Sequence, residues 1–305
     1  MIPSTDDTDD STDERTLSRR RLLGAAAAVA GAAGLAGCST PLVQVRTATA
    51  TVEREYDTHA ISRVRVDTED DVSVEPADGE HVRVRGHKRA HGNTELDELP
   101  IRSRVNGDTL RLASRKPDVV GIGGGSVDLE VFVPESIEVD RVRTDDGSVS
   151  LRGVSGDATA ETDDGDIAAS DVAGDLDAST DDGDVIVERA NGVVTARTDD
   201  GDIVVRAPNA VGDLRTDDGD LVAEVPSVDG SVGIRSSDGD VTVALGKSLD
   251  ATIEVTTGDG SITAVAGVDA IETVTETRVA GEVGDGTDEL RVHTDDGNLT
   301  LTTLS

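Results

Sequence analysis

The tetrapeptide Thr-Asp-Asp-Gly begins at Thr144, Thr162, Thr180, Thr198 and Thr216, a constant interval of eighteen positions. A sixth copy has drifted to Ser236-Ser237-Asp238-Gly239, and a late one is Thr294-Asp295-Asp296-Gly297. Inside the unit runs a fainter period of half that length, with glycines at 147, 156, 165, 174, 183, 192 and 201. So regular a period leaves few architectures open, because one unit cannot bury its own apolar face and only stacking completes a core. After the glycines the second and fourth residues are apolar: Ile167 and Ala169, Leu176 and Ala178, Val185 and Val187, Ile203 and Val205, Leu221 and Ala223. Period-2 alternation bounded by Gly and Asp predicts half-buried strands. Two strands per repeat unit make one coil of an all-β, single-stranded β-solenoid of the β-helix or β-roll kind. Eighteen extended residues reach roughly 59 Å, enough for two short strands and two corners, and coils stack about 4.8 Å apart. The inward ladders are Val, Ile, Leu and Ala, and one Phe, one Tyr and no Trp could not fill a wide interior.

The stretch from Met1 to Cys38 does not share this pattern. Residues Met1 to Glu14 are polar and acidic, then Ser18-Arg19-Arg20-Arg21-Leu22-Leu23 leads into an apolar run from Gly24 to Ala36. The arginine pair Arg19-Arg20 before a short Ala/Gly-rich run reads as a twin-arginine export signal. The run is too short for a membrane-spanning helix of roughly 20 residues. Leu35-Ala36-Gly37-Cys38 resembles the lipobox of prokaryotic lipoproteins, which implies a lipid on Cys38 and a chain held at the extracellular face of the cytoplasmic membrane. The plainer alternative is an uncleaved anchor helix with an incidental cysteine. Cys38 is the only cysteine, so no intrachain disulfide and no thiolate metal site is expected.

Charge points to a habitat. Beyond residue 37 the chain carries 57 acidic against 24 basic residues, a net of −33, and over the full length 3 lysines stand against 25 arginines. Acid excess with few lysines resembles haloarchaeal proteins, whose hydrated carboxylates keep them soluble in molar salt. It also argues against nucleic-acid binding, which needs a basic footprint. Self-repulsion on this scale opposes compaction unless screened, and at 1 M salt the Debye length is about 3 Å.

Residues 39–51, rich in Thr and Ala, read as a tether. Residues 52–143 read as a capping segment whose less regular strands continue into the solenoid of 144–305. Candidate strands are Ile61–Val66, Val72–Glu75, His81–Arg85, Ile101–Val105, Thr109–Ala113 and Val127–Val133, with turns at Ala77-Asp78-Gly79-Glu80 and Asn106-Gly107-Asp108. The chain is expected to end on a last strand, Asn298 to Thr302.

Val131-Phe132-Val133-Pro134, then Ile137-Glu138-Val139, then Arg143-Thr144-Asp145-Asp146-Gly147-Ser148-Val149-Ser150-Leu151 form an ordered combination. It resembles the bacterial and archaeal putative-adhesin family of extracytoplasmic β-solenoids, which is similar to the head domains of autotransporter adhesins. The resemblance spans roughly residues 52–303. It implies a surface binding role and brings no catalytic or ligand-binding residues with it. Asp-Asp at the corners is a departure from a family in which those positions vary.

Other chemistry has thinner support. His81, His87 and His91 cluster, and Gly86-His87-Lys88-Arg89-Ala90-His91-Gly92 has a His-x3-His spacing. Flanking glycines favour solvated loop histidines over a helical metal site. Gly121-Ile122-Gly123-Gly124-Gly125 lacks the Lys-Ser/Thr and helix of a phosphate cradle, and reads as a loop. No serine or threonine has an evident base in its sequence context, so an enzyme is the least favoured reading.

The acidic corners pose a physical problem. Asp145/Asp146, Asp163/Asp164, Asp181/Asp182, Asp199/Asp200 and Asp217/Asp218 should form two carboxylate columns, with neighbours repelling by roughly 0.9 kcal/mol even in water's dielectric. Concentrated monovalent cations can offset this. So can bound Ca²⁺, for which Asp163, Asp164, Asp181, Asp182, Asp199 and Asp200 are the candidate ligands. The calcium β-roll pattern is not met, since the half-turns here have one Gly followed directly by Asp. The plainest reading gives Asp and Gly to turn conformation, with Gly supplying positive φ. The expected function is a lipid-anchored binding module for a surface protein or glycan, with an envelope spacer as the alternative.

Overall fold

The computed structural model describes residues 47–116, 123–264 and 271–304. Arg19, Arg20 and Cys38 lie outside them. The chain is an all-β solenoid, and its helical pieces among the described residues are two 3-10 turns, Thr58–Ala60 and Leu96–Glu98. All strands join one continuous sheet folded into two faces. Val185–Arg197 and Ile203–Arg215 run through the bend between those faces without a break.

The repeat sets the register. On one face Val149, Ile167, Val185, Ile203 and Leu221 are successive parallel partners, each one repeat beyond the last. On the other, Val142, Ala160, Ala178, Ala196 and Leu214 pair in the same way. All ten are buried. In the middle coils Ile167, Val185 and Ile203 on one face are matched by Ala160, Ala178 and Ala196 on the other, which lets the two faces close over a thin interior. Ile203 and Val205 point inward and Asp202 outward, as the glycine phase predicts.

Both ends depart from chain order. Strands Arg63–Asp67 and Val72–Ala77 form a coil that lies between the coil of Thr109–Ser114 with Gly123–Pro134 and that of Glu138–Arg143 with Val149–Arg152. At the other end, Asp288–Asp296 and Leu299–Thr303 insert between Ser231–Asp238 with Val241–Leu245 and Ala251–Asp259 with Ile262–Ala264. The expected last strand is present as Leu299–Thr303, and it is an interior rung. At one end the outermost pairings are antiparallel, Thr47–Asp57 on His81–Gly92 and Ile101–Asn106 on Thr109–Ser114. At the other, Ile271–Val274 pairs antiparallel with Arg278–Val283, while Ile262–Ala264 pairs parallel with Leu299–Thr303.

Three local expectations change. Thr47 to Thr51, read as tether, belong to the first strand and pair with His87 to His91. The segment Gly86 to Gly92 belongs to the strand His81–Gly92 and is not a loop. Gly123, Gly124 and Gly125 are likewise in strand, paired with Gly92, His91 and Ala90. A Cβ on Gly124 would sit 2.8 Å from the His91 ring, and one on Gly125 2.6 Å from Leu99. Small size, not flexibility, is what these glycines supply.

Candidate functional site

The Thr-Asp-Asp-Gly corner divides its four residues between two jobs. Threonine points inward: Thr162, Thr180, Thr198 and Thr216 are buried, and each hydroxyl donates to the glycine carbonyl of the preceding coil. The distances are 2.8 Å from Thr162 to Gly147, 2.9 Å from Thr180 to Gly165, 2.9 Å from Thr198 to Gly183 and 2.8 Å from Thr216 to Gly201. Ser236 and Thr294 continue the ladder onto Gly219 and Gly239. A buried carbonyl without a partner is costly, so a hydroxyl in an apolar wall is the right residue here.

Glycine serves close approach. Of the five regular corner glycines, Gly183 and Gly201 have positive φ, 154° and 159°, but all five lack room for a Cβ. Such an atom would lie 2.4 Å from the Gly147 carbonyl oxygen at Gly165, 2.3 Å from that of Gly165 at Gly183, and 2.0 Å from that of Gly201 at Gly219. The left-handed column expected here is in the opposite bend, at Gly153, Asp171, Arg189 and Ala207, with φ of 56°, 56°, 56° and 48°. Asp171 and Arg189 are neighbours there and form a two-pronged ion pair of 2.7 and 3.0 Å.

The aspartates make three columns, not two. The first aspartate after threonine faces the same way as the residue before threonine, which is often arginine. Arg197 reaches Asp199 at 2.6 Å, Arg215 reaches Asp217 at 2.7 Å, and Arg143 reaches Asp163 at 3.2 Å. The third column follows glycine and is bonded to backbone. Asp166, Asp184, Asp202 and Asp220 each accept from the amide of the equivalent residue one coil on, at 2.8 to 3.0 Å. The middle column, Asp164, Asp182, Asp200, Asp218 and Asp238, faces solvent without such partners among the described residues. There the neighbours are felt: partial desolvation, then the Asp218 and Asp296 carboxylates, raise the Asp238 carboxyl above its ordinary value.

Among the described residues, no three His, Cys, Asp or Glu side chains converge as a metal-holding group. Asp163, Asp164, Asp181, Asp182, Asp199 and Asp200 stack along the axis, and Asp163 and Asp199 are taken up by arginine. Before Thr180 stands Ser179 instead of arginine, and Asp181 has no ion-pair partner among the described residues. That makes its rung the cleanest place to separate screening from specific binding. Asp181→Asn with Asp182→Asn should raise the unfolding temperature by a few degrees at low salt, with the gain fading as NaCl or KCl approaches molar. Millimolar Ca²⁺ in molar salt should shift neither wild type nor variant. A saturable calcium shift that the variant loses would make this corner a metal site.

His87 and His91 share the outer side of their strand. His87 meets Thr51 Oγ1 at 3.3 Å and Glu130 at 3.4 Å, while the His91 ring covers Gly124. A trio that no sequence motif announces is Thr256, His293 and Asp295. Thr256 Oγ1 is 2.9 Å from His293 Nδ1, and Nε2 is 3.0 Å from Asp295 Oδ1. It resembles a nucleophile, base and acid, but Nδ1 also lies 3.2 Å from the Thr256 carbonyl. Nε2–H donating to Asp295 leaves Nδ1 to accept from the Thr256 hydroxyl, whereas a proton on Nδ1 serves the carbonyl instead.

The chain matches a known family model, described as Toastrack DUF4097, over residues 61–302. The chain belongs to that family. A comparison with curated proteins finds no match. Solved structures similar to this Toastrack chain include a putative adhesin from Parabacteroides distasonis, 12% identical, covering 82% of this chain and 96% of that one, with a TM-score of 0.42. A putative lipid binding protein from the same organism is 14% identical, covering 82% and 96%, with a TM-score of 0.40. A putative adhesin from Bacteroides fragilis is 12% identical, covering 86% and 98%, with a TM-score of 0.36.

Proposed function

We propose that this Toastrack chain is a non-enzymatic binding module, held at the outer face of the cytoplasmic membrane by a lipid on Cys38, that presents its solenoid to a surface protein or glycan. One observation carries the reading: the parallel one-coil register. Because Ile167, Val185, Ile203 and Leu221 stack as partners, the residues between them stack too. Each outward position therefore becomes a straight column of side chains at about 4.8 Å spacing. Columns of this kind suit an extended partner contacted at many equivalent points, which gains affinity by repetition. The interleaved coils at both ends favour a second reading, a stiff envelope spacer, since a rod whose terminal rungs are interior resists fraying.

Cross-linking on intact cells in native salt, followed by recovery of the chain, should capture a discrete partner. A deletion strain altered in envelope integrity, with no partner captured, would favour the spacer. Location has its own test. Cys38→Ser should release the protein to the medium or leave its precursor unprocessed. A variant that stays membrane-bound and normally processed would remove the lipid anchor from this reading.

A further inference from the structure

The chain's cations are unevenly spread. Residues 47–143 hold 14 Lys and Arg against 20 Asp and Glu, a net of −6, whereas residues 144–305 hold 9 against 37, a net of −28. Strand pairing concentrates part of the first group. Arg104 is the direct partner of Arg111, Arg111 of Arg65, and Arg65 of Arg141, across four neighbouring strands. Four arginines in one row span three strand spacings, roughly 14 Å. Like charges placed directly opposite destabilise a sheet, so packing gives no reason for this row.

Carboxylates hold only part of it. Arg65 pairs with Asp140 and Arg141 with Glu161, while among the described residues Arg104 and Arg111 pair with none. The row borders a concavity of about 740 Å³, lined by Arg65, Arg111 and Arg141, with Arg115 and Arg143 beside them. Three aspartates also line it, and each is engaged from the edge. Arg115 reaches Asp67 at 3.0 Å and Asp145 at 3.5 Å, and Arg143 reaches Asp163 at 3.2 Å.

We infer that this concavity binds an acidic polysaccharide, a sugar chain bearing carboxylate or sulfate groups, along the row Arg104, Arg111, Arg65 and Arg141. The inference rests on the binding-module reading and names its ligand class. Guanidinium groups present paired donors that match oxyanions, and a row of them matches a linear ligand with several anionic groups. The acidic remainder of the rod confines contact to a short segment of that ligand. Nucleic acid fits less well, because single-strand binding uses aromatic platforms. The only Phe, Phe132, lies on the other face beneath Arg83 and Arg85, at 5.3 and 5.6 Å from its ring. An anionic membrane fits less well too, since the large exposed apolar residues, Ile186 and Val222, stand away from the row on the opposite face. A second copy would bring two bodies of net charge −35 together.

The test titrates the full chain, at the lowest salt that keeps it folded, with alginate for carboxylate, dextran sulfate for sulfate, and neutral dextran. Binding is expected to at least one anionic polymer and not to neutral dextran, weakening as salt rises. Arg111→Glu should lower that affinity at least tenfold and Arg111→Gln by less, with thermal unfolding unchanged. If Arg111→Glu does not fold, Arg104→Gln with Arg111→Gln replaces it. Asp202→Asn, three coils further on and on the other face, should bind as wild type. Wild-type affinity in folded Arg111→Glu overturns the inference. So does binding to phosphatidylglycerol vesicles alone, or arginine-dependent self-association without polysaccharide binding. If Arg111→Glu still captures the wild-type partner on cells, the binding module stands and the arginine site falls.

Discussion

Ile203→Asp should lose most or all of its folded population at neutral pH. Ile203 is fully buried, between Val185 on one side and Leu221 on the other. A carboxylate there has no partner and no route to water. Leaving a charge or its protonated form unpaired in such an interior costs several kcal/mol, against a total stability of roughly 5 to 15 kcal/mol for a typical domain. In a stacked repeat the damage spreads, because each coil is completed by its neighbours. The neighbouring change Asp202→Asn should move stability by no more than about 0.5 kcal/mol. Its reason is visible in the same column, where Asn298 already occupies one rung. There Asn298 Nδ2 donates to the Asp240 carboxylate at 3.2 Å, and its Oδ1 accepts from Ser261. Thermal unfolding of the two variants side by side is the check. Equal losses would show that the inward and outward phase of this strand is reversed.

Gly201→Ala should cost about 3 kcal/mol, a large penalty for a single methyl. Its Cβ would lie 2.1 Å from the Gly183 carbonyl oxygen, and that oxygen is already fixed as acceptor for the Thr198 hydroxyl at 2.9 Å. Relief requires moving backbone, and moving it breaks the corner bond or opens the next coil. Gly107→Ala is the comparison, since φ there is 61° but nothing lies within 4 Å of the new Cβ. It should cost only about 1 kcal/mol, the ordinary penalty for a left-handed residue with a side chain. Denaturant unfolding of both, alongside Gly219→Ala, where φ is not positive and the Cβ would lie 2.0 Å from the Gly201 carbonyl oxygen, separates crowding from conformation. Similar losses at Gly201 and Gly107, with little at Gly219, would mean that backbone angle, not the close approach of coils, selects glycine at the corner.

These two residues also show how far the sequence can be read. The phase of Ile203 is legible because alternation in a strand is local, and the repeat carries it unchanged from coil to coil. The role of Gly201 is not. Its crowding comes from the Gly183 carbonyl of the preceding coil, and a Gly-rich turn looks alike in sequence whether the demand is space or positive φ. The buried threonines escape sequence reading for a related reason. A threonine beside two aspartates reads as polar surface until its acceptor, a glycine carbonyl of another coil, is in place. The arginine that relieves the first aspartate column is in view, since Arg143, Arg197 and Arg215 each stand directly before a Thr-Asp-Asp-Gly. With threonine pointing inward, strand alternation puts arginine and aspartate on the same side.

By itself, then, the sequence determined the all-β class, the coil length, the inward ladders and the acidic outer columns, because each depends on a period that survives any choice of neighbours. Tertiary structure decided what depends on which strand lies beside which. The coil of Arg63–Ala77 and the coil of Asp288–Thr303 are interior although they come early and late in the chain. Arg104, Arg111, Arg65 and Arg141 come from four separate strands in scrambled chain order, and only that pairing stands them in one row. No periodicity announces it, since pairing between irregular strands is set by the long-range closure of the cap and not by local pattern.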